Sequence, residues 1–167
     1  MGQRLLPQSL IELYAHALSI EREAFKRFVA LERFMRDCGH DYLAEEFEKI
    51  GREEQEQYEA LAIGTAERDL PQVTEWEYAW HFLGPNHDKP RAPRTPREAL
   101  QIALATERRA QNFYIDVAEN ANDDTLCAFA AEMAVDEQRH VQHLEQLLAR
   151  EAEVAKHADD DAEILRR

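Results

Sequence analysis

Residues 130–144 read AAEMAVDEQRHVQHL. Their apolar members Ala130, Met133, Ala134, Val141 and Leu144 recur at three- and four-residue steps, the period of one helix face. Glu137 and His140 lie on that same face, one turn apart. A carboxylate and an imidazole therefore stand where core side chains are expected. By itself this is a weak signal, because 34 of the 167 residues are acidic and exposed Glu is ordinary on a helix. Its recurrence along the chain is what gives it weight.

Three other stretches repeat the pattern. Glu21 interrupts a stripe running through Tyr14, Ala17, Leu18, Ala24, Phe28 and Leu31. Glu54 is flanked by Phe47, Ile50, Tyr58 and Leu61, and Glu107 by Leu100, Ala103, Leu104, Ala110 and Tyr114. One acid per helix faces inward. The halves of the chain are also repeats of each other. A shift of 86 lays Ala17, Leu18, Glu21, Arg22 and Ala24 on Ala103, Leu104, Glu107, Arg108 and Ala110. A shift of 83 lays Leu43, Glu54, Gln55 and Leu61 on Leu126, Glu137, Gln138 and Leu144, with Gln57 falling on His140.

The helix ends are well marked. Ser9 with Glu12 forms a capping box opening a first helix that runs to Cys38 and stops at Gly39. Asp41 is expected to cap a second, lasting to Ile63. Thr95, Pro96 and Glu98 open a third that fades near Asn120, and Asn122 or Asp123 starts a fourth reaching about Arg150. Residues 151–167 are nearly all polar and read as a frayed helical tail. Two- or three-residue joints make the first and last helix pairs antiparallel hairpins. Gly64 to Arg94, by contrast, is 31 residues, long enough to travel the length of the bundle and make the third helix parallel to the second. This crossover, 64–95, should contain a short aromatic helix opened by Thr74 and Glu77. There Trp76, Tyr78, Trp80 and Phe82 read as packing or dimer-contact residues. The expectation is a single all-α domain over 1–167, a four-helix bundle over about 10–150.

Composition narrows the function. A formal charge of −14 and a pI near 4.9 argue against nucleic-acid or anionic-membrane partners. No stretch approaches the length of a membrane span, and MGQRLLPQS lacks the apolar region of a signal peptide, so the expected address is the cytoplasm. Cys38 and Cys127 stand alone, without a CxxC pair.

The depths of the four acids agree. Glu21 lies 17 residues before Cys38 and Glu54 13 after Asp41; Glu107 lies 13 before Asn120 and Glu137 14 after Asp123. At about 1.5 Å per residue each pair matches within roughly a turn. Four buried carboxylates repel one another and lose hydration, and no Lys or Arg is expected inward at their level. Two divalent cations would neutralise them, with His140 as an imidazole ligand. Oxygen donors with one imidazole suit iron or manganese better than a cysteine zinc cage. An acidic bundle without metal is the alternative. Tyr114 is either a hydrogen-bond donor to one of the carboxylates or a plain core tyrosine. Asp136 is either a partner that orients a ligand or, the plainer reading, a solvated acid; His143, one turn past His140, is a candidate spare ligand; and His16, His40, His81, His87 and His157 read as surface residues.

Over residues 10–150 these features resemble the rubrerythrin branch of the ferritin-like superfamily. ERxA begins at both Glu21 and Glu107, with Phe28 and Tyr114 seven residues on, and EQEQ (54–57) and EQRH (137–140) stand where the family has ExxH. The resemblance implies a ferritin-like bundle with two irons (or manganese or zinc). Glu21 and Glu107 would be terminal ligands, Glu54 and Glu137 bridging ones, and His140 a ligand of the second metal. Gln57 takes the first metal's histidine position, so that site is expected to be weak or empty. Ala110 replaces the additional acid of peroxide-reducing members, and a rubredoxin module is absent. The resemblance also implies an oxidoreductase reacting with O2 or peroxide, or a ferroxidase, with an external electron donor and a homodimeric assembly. An iron-sequestering bundle without turnover and a metal-free dimeric interaction module are the competing expectations.

Overall fold

Ser9 and Thr95 open their helices as their spacing predicts. In the computed structural model, which describes residues 6–73 and 92–164 with side chains through 158, four helices are found: α1 (Leu10–Asp37), α2 (Asp41–Gly64), α3 (Pro96–Asn120) and α4 (Asp124–Ile164). Ser9 Oγ accepts from the Glu12 amide at 3.2 Å and Thr95 Oγ1 from the Glu98 amide at 3.1 Å. Each first-turn Glu reaches back one residue further than a capping box requires, to the amides of Gln8 and Arg94. Asp123 caps α4 through the Leu126 amide, at 2.8 Å. Asp41 departs from expectation: it is the first residue inside α2, and His40 takes the cap position without a side-chain bond. There the acid interacts with the helix dipole instead.

Gly39 has φ +73°, the left-handed conformation that ends α1 without a Cβ penalty. The His40 amide bonds to Met35 O and the Gly39 amide to Arg36 O, and the chain turns straight into α2. Gly51 serves a different purpose: a Cβ there would lie 3.1 Å from the Phe28 Cβ. Its absence lets α1 and α2 approach while Phe28 and Phe47 meet edge to face, centroids 5.7 Å apart.

Two core clusters give the helix directions. Phe28, Leu31 and Met35 from late α1 pack with Leu43 and Phe47 from early α2, Leu100 and Leu104 from early α3, and Val141, Leu144 and Leu147 of α4. At the other end early α1, represented by Leu13 and Ala17, meets late α3 (Phe113, Tyr114, Val117) and early α4 (Leu126, Ala130). α3 therefore runs parallel to α2 and antiparallel to α1, as the long crossover demands. The expected aromatic helix, with Trp76, Tyr78, Trp80 and Phe82, lies outside the described residues. α4 differs from expectation at its far end. It continues through Ile164 instead of stopping near Arg150, although among its described side chains the last fully buried one is Leu147. At about 1.5 Å per residue its 41 residues span about 62 Å, so it outruns the bundle by several turns.

Candidate metal centre

Between the two core clusters the apolar filling is interrupted by polar groups. Glu21, Glu54 and Glu107 are 0% exposed, Glu137 1% and His140 5%, one acid from each helix and the imidazole from α4. Donor atoms of Glu54, Glu107, Glu137 and His140 all lie within 4.8 Å of one another. Glu21 is buried beside this set and faces Glu54, and the Tyr114 hydroxyl donates to its Oε1 at 2.9 Å.

His140 is held at both nitrogens. Nδ1 points into the cluster, 2.7 Å from Glu54 Oε1 and 3.1 Å from Glu107 Oε2. Nε2 lies 2.8 Å from Glu53 Oε2 at the bundle surface. A carboxylate behind an imidazole fixes its orientation and raises its basicity. The site thus includes Glu53, an exposed acid that no apolar stripe marks in the sequence. Asp136 is itself bonded to Arg139 at the surface.

The electrostatics show how uncomfortable this arrangement is without cations. Burial raises Glu21 and Glu137 well above the usual carboxylate range, helped by the charges of Glu54 for the former and Glu107 for the latter. Glu54 is raised by burial and by Glu107. Burial alone would lower His140, but Glu107 and Glu54 beside the ring raise it to about 11. Tyr114 is raised by burial and by Glu21 and stays a hydrogen-bond donor. With no metal, burial and mutual repulsion favour the protonated forms of Glu21, Glu54 and Glu137, and the Glu107 and Glu54 carboxylates favour a proton on His140.

Several buried oxygens have no protein donor at all: Glu21 Oε2, Glu54 Oε2, Glu107 Oε1, both carboxylate oxygens of Glu137, and the amide oxygen of Gln57. Orphaned acceptors of this kind are costly. Hard divalent cations accept just such donors, so the residues fit a metal. Gln57, half-buried on α2, offers only its amide oxygen where the repeat places an imidazole.

The model of the ferritin-like domain matches residues 11–161. The chain belongs to the ferritin-like family. Among solved structures this ferritin-like chain is similar to an uncharacterized conserved protein from Magnetospirillum magnetotacticum MS-1, at 26% identity and a TM-score of 0.75, covering 85% of this chain and 95% of that one. It is also similar in fold to a dodecameric thioferritin, the bacterioferritin-related protein from Bacteroides fragilis, at 23% identity and a TM-score of 0.67, covering 91% and 92%. No curated protein matches.

His143 does not join the cluster; its Nε2 meets Glu46 Oε2 at 2.5 Å, and Glu46 also takes Lys49 at 2.8 Å. Glu46, 6% exposed, is a buried acid on the helix that carries Glu54, and its partner could not be read from α2 alone. His16 is not a surface residue: it is half-buried against Phe113, centroids 5.8 Å apart, and desolvation lowers its pKa to about 4. His40 and His157 are exposed, and His81 and His87 lie outside the described residues. Among the described residues no helix is long and apolar enough to cross a membrane.

Proposed function

We propose that this ferritin-like protein is a non-haem iron protein with two ions held by Glu21, Glu54, Glu107, Glu137 and His140, acting as an oxidoreductase toward O2 or peroxide, oxidation of Fe(II) itself included. The observation that carries the reading is the buried convergence of Glu54, Glu107, Glu137 and His140 Nδ1, with carboxylate oxygens that no protein group satisfies. The ERxA repeats around Glu21 and Glu107 and the EQRH of α4 favour the rubrerythrin branch.

Bound iron would supply the electrons for reducing the oxidant. The chain does the rest. By the resemblance to rubrerythrins, Glu54 and Glu137 would each hold both ions, and Glu21 and Glu107 would each hold one. Tyr114 holds Glu21 through its hydroxyl and limits the carboxylate's freedom to turn. Glu53 fixes the His140 ring so that Nδ1 faces inward. The apolar clusters above and below exclude bulk water along the bundle axis. Re-reduction requires an external electron donor, and the assembly is proposed to be a homodimer in the cytoplasm.

A second reading, iron binding without turnover, is favoured by Gln57. Its amide oxygen is a poorer ligand than imidazole, so the ion on the Glu21–Glu54 side is held more weakly. Anaerobic Fe(II) loading followed by exposure to O2 separates the two. Catalytic oxygen consumption with near-ultraviolet absorbance growing over repeated additions supports the oxidase. Binding of Fe(II) with at most one equivalent oxidised, and no further uptake, supports sequestration.

A further inference from the structure

Adjacent residues of α2 reach opposite sides of one imidazole. Glu54, fully buried, brings its Oε1 to 2.7 Å from His140 Nδ1. The Glu53 side chain is 60% exposed, yet its Oε2 lies 2.8 Å from Nε2 of the same ring. One ring width therefore separates a carboxylate in water from the buried cluster. Exposed acids at other seams are held by arginines: Glu48, toward α1, takes Arg36 and Arg52, and Glu145, toward α3, takes Arg108. On the α2/α4 seam Glu46 is held by Lys49 and His143. Among the described residues the ion-pair partner of Glu53 is His140, with no Lys or Arg beside it.

Oxygen donors continue inward from Glu53. Gln57 is its i+4 neighbour and the i+3 neighbour of Glu54, spacings at which helix side chains meet. It is half-buried, and its amide oxygen is buried without a hydrogen-bond partner. Glu54 Oε2 is likewise unpartnered, on a side chain with no exposure. Exposure thus falls in steps from a solvated carboxylate to a half-buried amide to a buried carboxylate. A divalent ion gives up its hydration at high cost. A graded series of oxygens replaces that water a little at a time.

We propose that the α2/α4 seam is the entrance of the metal centre, where Glu53 captures a hydrated divalent cation and Gln57 passes it to Glu54. The inference rests on the reading of the buried cluster as a metal centre. Capture withdraws the Glu53 carboxylate from Nε2 and frees the His140 ring to turn aside; the contact re-forms behind the ion. The net charge of −14 draws cations to the whole surface. What distinguishes Glu53 is its contact with a side chain of the centre, not its charge.

The test is stopped-flow uptake of Co(II), an ion with visible absorbance, by the metal-stripped full chain under anaerobic conditions. Association rate, dissociation rate and Kd are measured separately. An entrance lowers the barrier in both directions, so its loss slows both rates and leaves Kd nearly unchanged. Loss of a ligand, or of the ring's orientation, weakens Kd through faster dissociation. Glu53→Gln keeps an oxygen that can accept from Nε2–H but removes the charge. It should slow association and dissociation by about tenfold each, with Kd within about threefold of wild type. Glu48→Gln removes the same charge elsewhere on α2 and should leave both rates intact. An unchanged association rate in Glu53→Gln overturns the entrance even where Kd weakens, because Glu53 then only positions His140. Equal slowing in Glu48→Gln also overturns it, since net charge then accounts for the rate. A wild type that takes up no Co(II) removes the metal centre itself, and the entrance with it.

Discussion

Glu137 loses nearly all its hydration in the bundle and has no protein donor for either oxygen. A cation or a shared proton must take the place of water there. Glu137→Ala removes the acid but leaves Glu54, Glu107 and Glu21 around a small gap. The variant should fold, with bound iron reduced at least tenfold by elemental analysis. Tyr114→Phe has a different signature. It strands Glu21 Oε1, at a cost of about 1–3 kcal/mol for an unmade buried hydrogen bond, read by urea denaturation of the metal-free protein. A stability loss below about 0.3 kcal/mol would mean that the hydroxyl does not restrain Glu21. Gln57→His restores the imidazole missing from the repeat and should raise affinity for the ion on the Glu21–Glu54 side about tenfold; no gain in iron content would contradict the account of a weaker half. The inward acids were readable in the sequence because each interrupts an apolar stripe. Glu53 and Glu46 were not, since their partners His140 and His143 lie across a helix seam. Periodicity tells which face a residue is on, not how two helices are rotated against each other.

Helix packing rests on a few positions where space is short. Any side chain at Gly51 must be absorbed at the α1/α2 contact beside Phe28. Gly51→Leu should cost about 1–3 kcal/mol as an overpacked site. Gly64, with open space around its Cβ position, should accept alanine with a gain of up to about 1 kcal/mol from helix propensity. Equal effects at the two positions, measured by chemical denaturation, would show that the close approach is not limiting. Helix starts were legible at Ser9, Thr95 and Asp123 because a side-chain acceptor there has a physical task. The unbroken run of α4 to Ile164 was not, because its polar tail carries no apolar stripe to tell a continuous helix from a frayed one. That the parallel course of α3 could be anticipated follows from the length of the crossover: 31 residues are ample to span the bundle, whereas a two- or three-residue joint would force an antiparallel neighbour.

At the scale of the molecule, charge links stability to metal and pH. Glu21, Glu54 and Glu137 have folded pKa values above 4.5 and His140 is raised from 6.5 to about 11. The folded metal-free chain therefore holds more protons than the unfolded chain over this range. Its stability declines as pH rises, first above the carboxylate value and, for the His140 contribution, fully present below 6.5 and lost through 11. Urea midpoints of metal-free protein should fall between pH 5.5 and 9. Loaded protein should show a flat or rising profile, because each ion displaces protons and binds more tightly as pH rises. A metal-free profile that rises with pH would contradict the electrostatic account. The most direct test of the centre itself is iron content after anaerobic Fe(II) loading and desalting, for wild type beside Glu137→Ala. The account predicts up to two irons per wild-type chain, with the ion on the Gln57 side lost first on dilution, and almost none in the variant. Equal iron in the two proteins, or none in either, would contradict it.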